Sequence, residues 1–231
     1  MTRPRAQSER VVVALEQAGA RFRAVYSPLI GIETIGDMPD QSALSGLIFT
    51  SANAVRVWVE RGGRCDLPCF VVGPATEAEA KAAGMQAERA RGTADDLVAL
   101  VEARRPAGRW LHVHGTHTRG DVAPRLAAVG IDISGVALYD QPALGPTQEA
   151  LGVLAGEIPV VAPLYSPRTA ALFAKLPIKA PLLVAGLSEA VVKPLAALHI
   201  YGQTTANRPD SSAMLAAILD LLETAGESVE N

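Results

Sequence analysis

Aromatic residues make up only 4% of this 231-residue chain, so its packing must rest on Ala, Val and Leu rather than on stacked rings. Cysteine is scarcer still. Cys65 and Cys69 are the only two, and their spacing in RCDLPCF fits neither a redox Cys-x-x-Cys pair nor half of a zinc site. Cys69 reads as the start of a strand and Cys65 as a loop residue, with a disulfide between them the lesser alternative. No apolar run approaches the roughly 20 residues needed to span a bilayer. The N-terminal MTRPRAQSER is followed by no signal-peptide core or cleavage pattern, so a soluble, cytoplasmic protein is expected. Charge of one sign is lacking too: 21 basic and 24 acidic residues leave a net charge of −3, and the arginines are scattered rather than banded. That excludes the electrostatic footprint of a duplex nucleic-acid binder. Neither a P-loop nor a Gly-x-Gly-x-x-Gly after a strand is present, which argues against a nucleotide cofactor.

What the chain does have is 49% hydrophobic content and a repeat. LIFTSANAVRVWV followed by CFVVGPATEAEAKAAG is echoed by VVAPLYSPRTAALFA followed by PLLVAGLSEAVVKPLAAL, aligning Ser51 with Ser166, Gly73 with Gly186, and Glu77-Ala78 with Glu189-Ala190. A strand, a hydroxyl-bearing turn and a helix thus occur twice, each time followed by a strand, a glycine and a helix. The duplication predicts two α/β domains facing a cleft. A second echo links GTHTRGDVAPRLAAVG to TRPRAQSERVVVALEQAG, with Leu126 and Gly130 standing where Leu15 and Gly19 stand.

The elements between these landmarks alternate. Helical spacing over 8–18 ends at Gly19, and a strand is expected at Phe22–Tyr26. From Gly46 the pattern reads strand 47–50, helix 52–61, strand 69–72, helix 75–83, and helix 94–104 capped by Thr93 or Asp95. Strand 110–114, a helix from Gly120 to Val129, and an extended stretch from Ile133 to Tyr139 follow. Short apolar strands alternating with helices of about ten residues signal parallel sheets covered on both faces. The N-terminal unit has no partner within 38–135, so it must complete the C-terminal half. This gives one domain from 1–30 with 143–231 and another from 38–135. The connectors 31–37 and 136–142 are predicted to pair antiparallel as a two-stranded hinge. Tyr139 then projects near the interdomain cleft, unless it merely ends a core strand.

Ligands of doubly wound sheets bind beyond the carboxyl ends of the strands. The loops there are Thr50-Ser51-Ala52-Asn53, Gly73-Pro74-Ala75-Thr76, Gly115-Thr116-His117-Thr118, Ser166-Pro167-Arg168-Thr169 and Gly186-Leu187-Ser188. Unpaired backbone N–H groups at helix starts, helped by Ser and Thr hydroxyls, hold anions without Lys or Arg. Each loop by itself is equally explained by ordinary N-capping. HVHGTHTRGD puts His112 and His114 on one strand face with His117 just beyond, but no adjacent acidic cluster completes a metal shell. Ser51 and Ser166 lie outside any Gly-x-Ser-x-Gly, so capping outweighs a serine nucleophile.

With these residues in view, the chain resembles the uroporphyrinogen-III synthase family over nearly its whole length. The matching pieces are Thr2-Arg3-Pro4, Pro28-Leu29-Ile30, Phe49 to Val55, Val72-Gly73 with Thr76 and Ala78, Gly115 with Arg119, Val136 to Tyr139, Ser166-Pro167, and Gly186 with Ser188 and Ala190. Each piece is weak; their order and spacing are specific. The resemblance implies two flavodoxin-like, doubly wound parallel-sheet domains joined by a two-stranded antiparallel ladder. It also implies a cyclising lyase of tetrapyrrole biosynthesis that uses neither cofactor nor metal. Linear hydroxymethylbilane loses water and closes to uroporphyrinogen III with its last pyrrole ring inverted.

Within that resemblance Tyr139 matches the tyrosine proposed as the acid that helps the hydroxyl leave. Arg3, Thr50, Ser51, Asn53, Thr76, Arg119, Ser166 and Ser188 are its substrate-contacting candidates. The expected partners are this small-molecule substrate and, transiently, the preceding pathway enzyme; nucleic acid and membrane are not among them, and the chain is expected to be a monomer. Two departures stand out. The hydrophobic strand that usually precedes Thr-Arg-Pro is replaced by Met1, leaving a stub or a start lying upstream. Pro163 stands inside a predicted strand, where an edge or bulge is expected. A non-catalytic hinge protein binding a small polyanion is the competing reading.

Overall fold

Local sequence sets most element ends in the computed structural model, which describes residues 1–118 and 120–230. Helix α1 (Arg5–Gln17) starts after Pro4, buries Ser8, Val12 and Leu15 along one face, and stops before Gly19 at a φ of 84°. The strand expected at Phe22–Tyr26 forms no ladder. Residues 25–29 run beside the first two residues instead, through Met1 N to Val25 O (2.7 Å), Ser27 N to Met1 O (2.9 Å) and Leu29 N to Thr2 O (3.1 Å). Two residues offer too few backbone groups to carry a longer ladder.

Strand β1 (Glu33–Thr34) is a short edge and β2 (Leu44–Phe49) is buried at every position but Ser45. Helix α2 (Ala52–Glu60) is capped by Ser51, whose Oγ accepts from Asn53 N at 3.1 Å. Strand β3 (Cys69–Val71), helix α3 (Pro74–Ala82) and strand β4 (Ala87–Arg89) follow. Thr93 caps α4 (Ala94–Arg104) in a reciprocal box with Asp96. After β5 (Arg109–Gly115), helix α5 (Val122–Ala128) begins later than the sequence suggested, because Gly120 and Asp121 adopt φ of 84° and 42°. Strand β6 (Ile133–Asp140) completes this unit. Beyond it lie α6 (Gln148–Leu154), β7 (Val160–Leu164), α7 (Pro167–Phe173), β8 (Leu182–Gly186), α8 (Glu189–Val192), β9 (Gly202–Thr205) and α9 (Ser211–Glu230).

The chain folds as two units, residues 32–142 and residues 1–31 with 143–231. In the first, the sheet order is β1-β6-β5-β2-β3-β4, parallel except for β1, which pairs antiparallel through Glu33 with Asp140 and Thr34 with Tyr139. Period-two alternation sends Leu47, Phe49, Leu111 and Val113 to a core shared with Val55 and Trp58 of α2. Ile48, Phe70 and Trp110 go to the opposite core, with Leu97 and Val101 of α4 and Leu126 of α5.

In the second unit β7, β8 and β9 are parallel and adjacent, and Thr2 Oγ1 donates to Pro163 O of β7 at 3.4 Å. The lateral order is therefore residues 25–29, residues 1–2, β7, β8, β9. Pro163 sits in β7, at the edge of the three-stranded sheet, where its missing N–H costs no ladder bond. Leu164, Leu182 and Val184 pack under Phe173 and Val191 of α7 and α8; Leu183 and Ala185 pack under Leu15 of α1 and Met214 and Ile218 of α9.

The repeated segments explain both sheets. Ser51 and Ser166 equate β2 with β7, Gly73 and Gly186 equate β3 with β8, and Leu126 and Leu15 equate α5 with α1. The order β6-β5-β2-β3-β4 then becomes the order 25–29, 1–2, β7, β8, β9. The same sheet is threaded twice, entered at a different strand each time.

Candidate functional site

Counted along the chain, the parallel strands of residues 32–142 lie in the order 3-2-1-4-5, so the direction of progress reverses between β2 and β5. Loops leaving neighbouring strands part at such a point, opening a crevice beyond their carboxyl ends. Thr50 and Ser51 leave β2 there, and Gly115 and Thr116 leave β5.

Tyr139 reaches this point from the far side of β5. It pairs with Gly115 in register, and a Cβ on Gly115 would stand 2.6 Å from Tyr139 Cε2 and 2.8 Å from Cζ. The absent side chain is the gap through which the ring crosses β5, bringing its hydroxyl into hydrogen-bond contact with the Ser51 side chain and the Gly115 backbone. Tyr139 is only 4% exposed and shares the core of Phe49, Trp58 and Leu138. Burial raises its pKa above the ordinary value of 10.0, against the opposing pull of Ser51 and Gly115, so the phenol stays protonated at neutral pH.

Around it the rim is polar. Thr50 Oγ1 lies 3.3 Å from Nε2 of His112, a buried imidazole whose pKa falls to about 3 through desolvation and the neighbouring His114. His112 is therefore neutral at working pH. His114 Nδ1 donates to Gly115 O at 2.8 Å, since a carbonyl only accepts. Thr116 Oγ1 donates to Asp140, whose carboxylate stands 4.0 Å from the half-exposed His117. Asn53 and Thr76, in the first turns of α2 and α3, are buried polar residues. Among the described residues no three His, Cys, Asp or Glu side chains converge as a metal site requires.

The other unit carries its own rim. Arg3 follows the two-residue stub, and its guanidinium carbon lies 4.3 Å from the ring centroid of Tyr165. Burial raises the Tyr165 pKa, opposed by the charge and hydrogen bond of Arg3. Ser166 Oγ accepts from Thr169 N at 3.1 Å as the cap of α7, and Ser188 holds the N-cap position of α8 without a side-chain cap bond.

Thr50, Ser51, Asn53, Thr76 and Tyr139 thus gather on one rim, and Arg3, Ser166 and Ser188 belong to the other unit. Arg119 lies outside the described residues. Sequence reasoning missed the role of Gly115 as a gap, His112 beneath Thr50, and Arg56 beside Asn53. Only Gly115 left a signal, a glycine ending a strand.

A family model for uroporphyrinogen-III synthase HemD matches residues 9–216. The chain belongs to the uroporphyrinogen-III synthase family. Its activity is that of this family, a cyclising lyase of tetrapyrrole synthesis that closes hydroxymethylbilane to uroporphyrinogen III with loss of water and inversion of ring D. The ligand-binding alternative is not favoured. Among solved structures, uroporphyrinogen-III synthetase from Helicobacter pylori is similar at 15% identity and a TM-score of 0.65, over 84% of this chain and 91% of that one. A mutant uroporphyrinogen III synthase from Thermus thermophilus is 16% identical with a TM-score of 0.52, over 99% of this chain and 100% of that one. At such identities the likeness is one of fold. No curated protein matches in sequence. Among the described residues, no helix of this uroporphyrinogen-III synthase family member is long and apolar enough to cross a membrane.

Proposed function

We propose that Tyr139 is the acid of the cyclisation and that the hydroxyls and helix starts around it hold the substrate carboxylates. The observation carrying this reading is the Tyr139 hydroxyl meeting Ser51 and Gly115 at the strand-order reversal, ringed by Thr50, Asn53 and Thr76. The phenol donates its proton to the departing hydroxyl, water leaves, and an electron-poor azafulvene remains. Attack from the substituted carbon of ring D gives a spiro intermediate, which fragments and recloses inverted; the proton lost on rearomatisation restores the phenol. Unassisted closure occurs without inversion, so the enzyme's task is to favour one geometry. Many oriented hydrogen bonds to carboxylates supply that preference, and a single acid supplies departure.

Two flavodoxin-like lobes, 1–30 with 143–231 and 38–135, serve this reaction in the proposal, hinged by 31–37 and 136–142. The pairs Glu33–Asp140 and Thr34–Tyr139 in one unit and the Ile30–Ala143 bridge in the other support such a connection. Arg3, Ser166 and Ser188 then act on substrate from the first lobe, and Arg119 from the second. The working form is a cytoplasmic monomer that meets the preceding enzyme transiently. Freshly generated hydroxymethylbilane tests the reading through the isomer ratio of the product. Wild type yields mainly isomer III, and Tyr139→Phe lowers that rate by about two orders of magnitude or more, the range of a positioned acid. An unchanged rate in Tyr139→Phe removes it from the chemistry.

A further inference from the structure

Between α2 and α3 runs a seam of polar side chains. Asn53 and Arg56 stand one turn apart on α2, and Thr76 and Glu79 one turn apart on α3. Arg56 Nη1 donates to Asn53 Oδ1 at 2.9 Å, while Arg56 Nε meets Glu79 Oε1 at 3.0 Å, with both charged side chains about 25% exposed. Arg56 Nη2 is buried without a hydrogen-bond partner.

A guanidinium only donates, so the end of the Asn53 amide facing Arg56 must be the oxygen. That fixes the amide, which by itself could rotate by half a turn. The end turned away from Arg56 is the Nδ2 amino group, a neutral donor in the first turn of α2, where the peptide dipoles also favour an anion. Reversed, the same side chain would present an oxygen to a carboxylate and repel it.

We propose that Arg56, held by Glu79, is a positioning residue that sets Asn53 as a hydrogen-bond donor to a substrate carboxylate. The proposal rests on the assignment of Asn53 to the substrate rim. It accounts for a buried arginine that spends one donor on a neutral amide and leaves another unused, an arrangement that helix packing alone does not require.

Steady-state kinetics with hydroxymethylbilane separate the possibilities. Arg56→Met keeps the stem and frees the amide, so KM rises about threefold to tenfold, the share of one charge-assisted hydrogen bond lost to rotation, while kcat stays within about twofold. Arg56→Lys, which still offers a donor, recovers part of the loss. Asn53→Asp pairs more strongly with Arg56 yet presents acceptors only, so its KM rises further although the fold is at least as stable as wild type by tryptophan fluorescence. If Arg56→Met does not fold, Asn53→Asp decides the matter. A wild-type KM in Asn53→Asp overturns the proposal, as does a loss confined to kcat in Arg56→Met. Failure of wild type to make isomer III would instead overturn the catalytic reading on which the proposal stands.

Discussion

His112 offers a test of the rim that needs no substrate. Its imidazole is 3% exposed, and desolvation together with His114 lowers its pKa from 6.5 to about 3. Between those two values the unfolded chain binds a proton that the folded chain refuses. Stability contributed by the neutral ring is therefore complete above pH 6.5 and is lost progressively as pH falls toward the folded value. From pH 7 to pH 5 the loss amounts to about 2 kcal/mol, roughly a 25-fold shift toward the unfolded state. The paired carboxylates Asp40, Asp66, Glu77 and Asp96 are held below their ordinary values of 3.8 to 4.5, so their contributions begin to fail only at the acid end of this interval and below. The Met1 ammonium, lowered to about 6 by burial, belongs to the other unit. Trp58 and Trp110 are the only tryptophans and both lie within residues 32–142, so urea unfolding followed by tryptophan fluorescence reports this unit. Wild type should lose about 2 kcal/mol more than His112→Gln between pH 7 and pH 5. Equal losses in the two proteins would mean that the ring is charged or hydrated in the fold, and the burial argument would fail.

Two further substitutions probe the same unit. Gly115→Ala places a methyl 2.6 Å from the Tyr139 ring, so stability falls by about 1–3 kcal/mol and isomer III turnover falls with it. Combined with Tyr139→Phe it should cost little further activity, because both changes remove the same hydroxyl from Ser51. Thr93→Ala breaks the reciprocal cap of α4 and should lower unit stability by about 1 kcal/mol in the tryptophan-monitored transition, with turnover unchanged.

Alternation, caps and duplication were legible in the chain itself. Ser51, Thr93 and Ser166 cap the helices they were expected to cap, because a hydroxyl before a helix acts within its own turn. The repeat even contained the shared strand order, since equivalent segments bury equivalent faces. The stretch at Phe22–Tyr26 shows the limit of local reasoning: its composition suits a strand, but a ladder also needs a partner of matching length, and residues 1–2 supply only a stub. Which side chains meet across strands was decided by the tertiary structure alone. Tyr139 reaches Ser51 because the register sets it opposite Gly115, and His112 lies beneath Thr50 because β5 is the lateral neighbour of β2. Periodicity and capping are written within a few residues of sequence, whereas register and adjacency are settled by the burial of whole faces, which no single segment encodes.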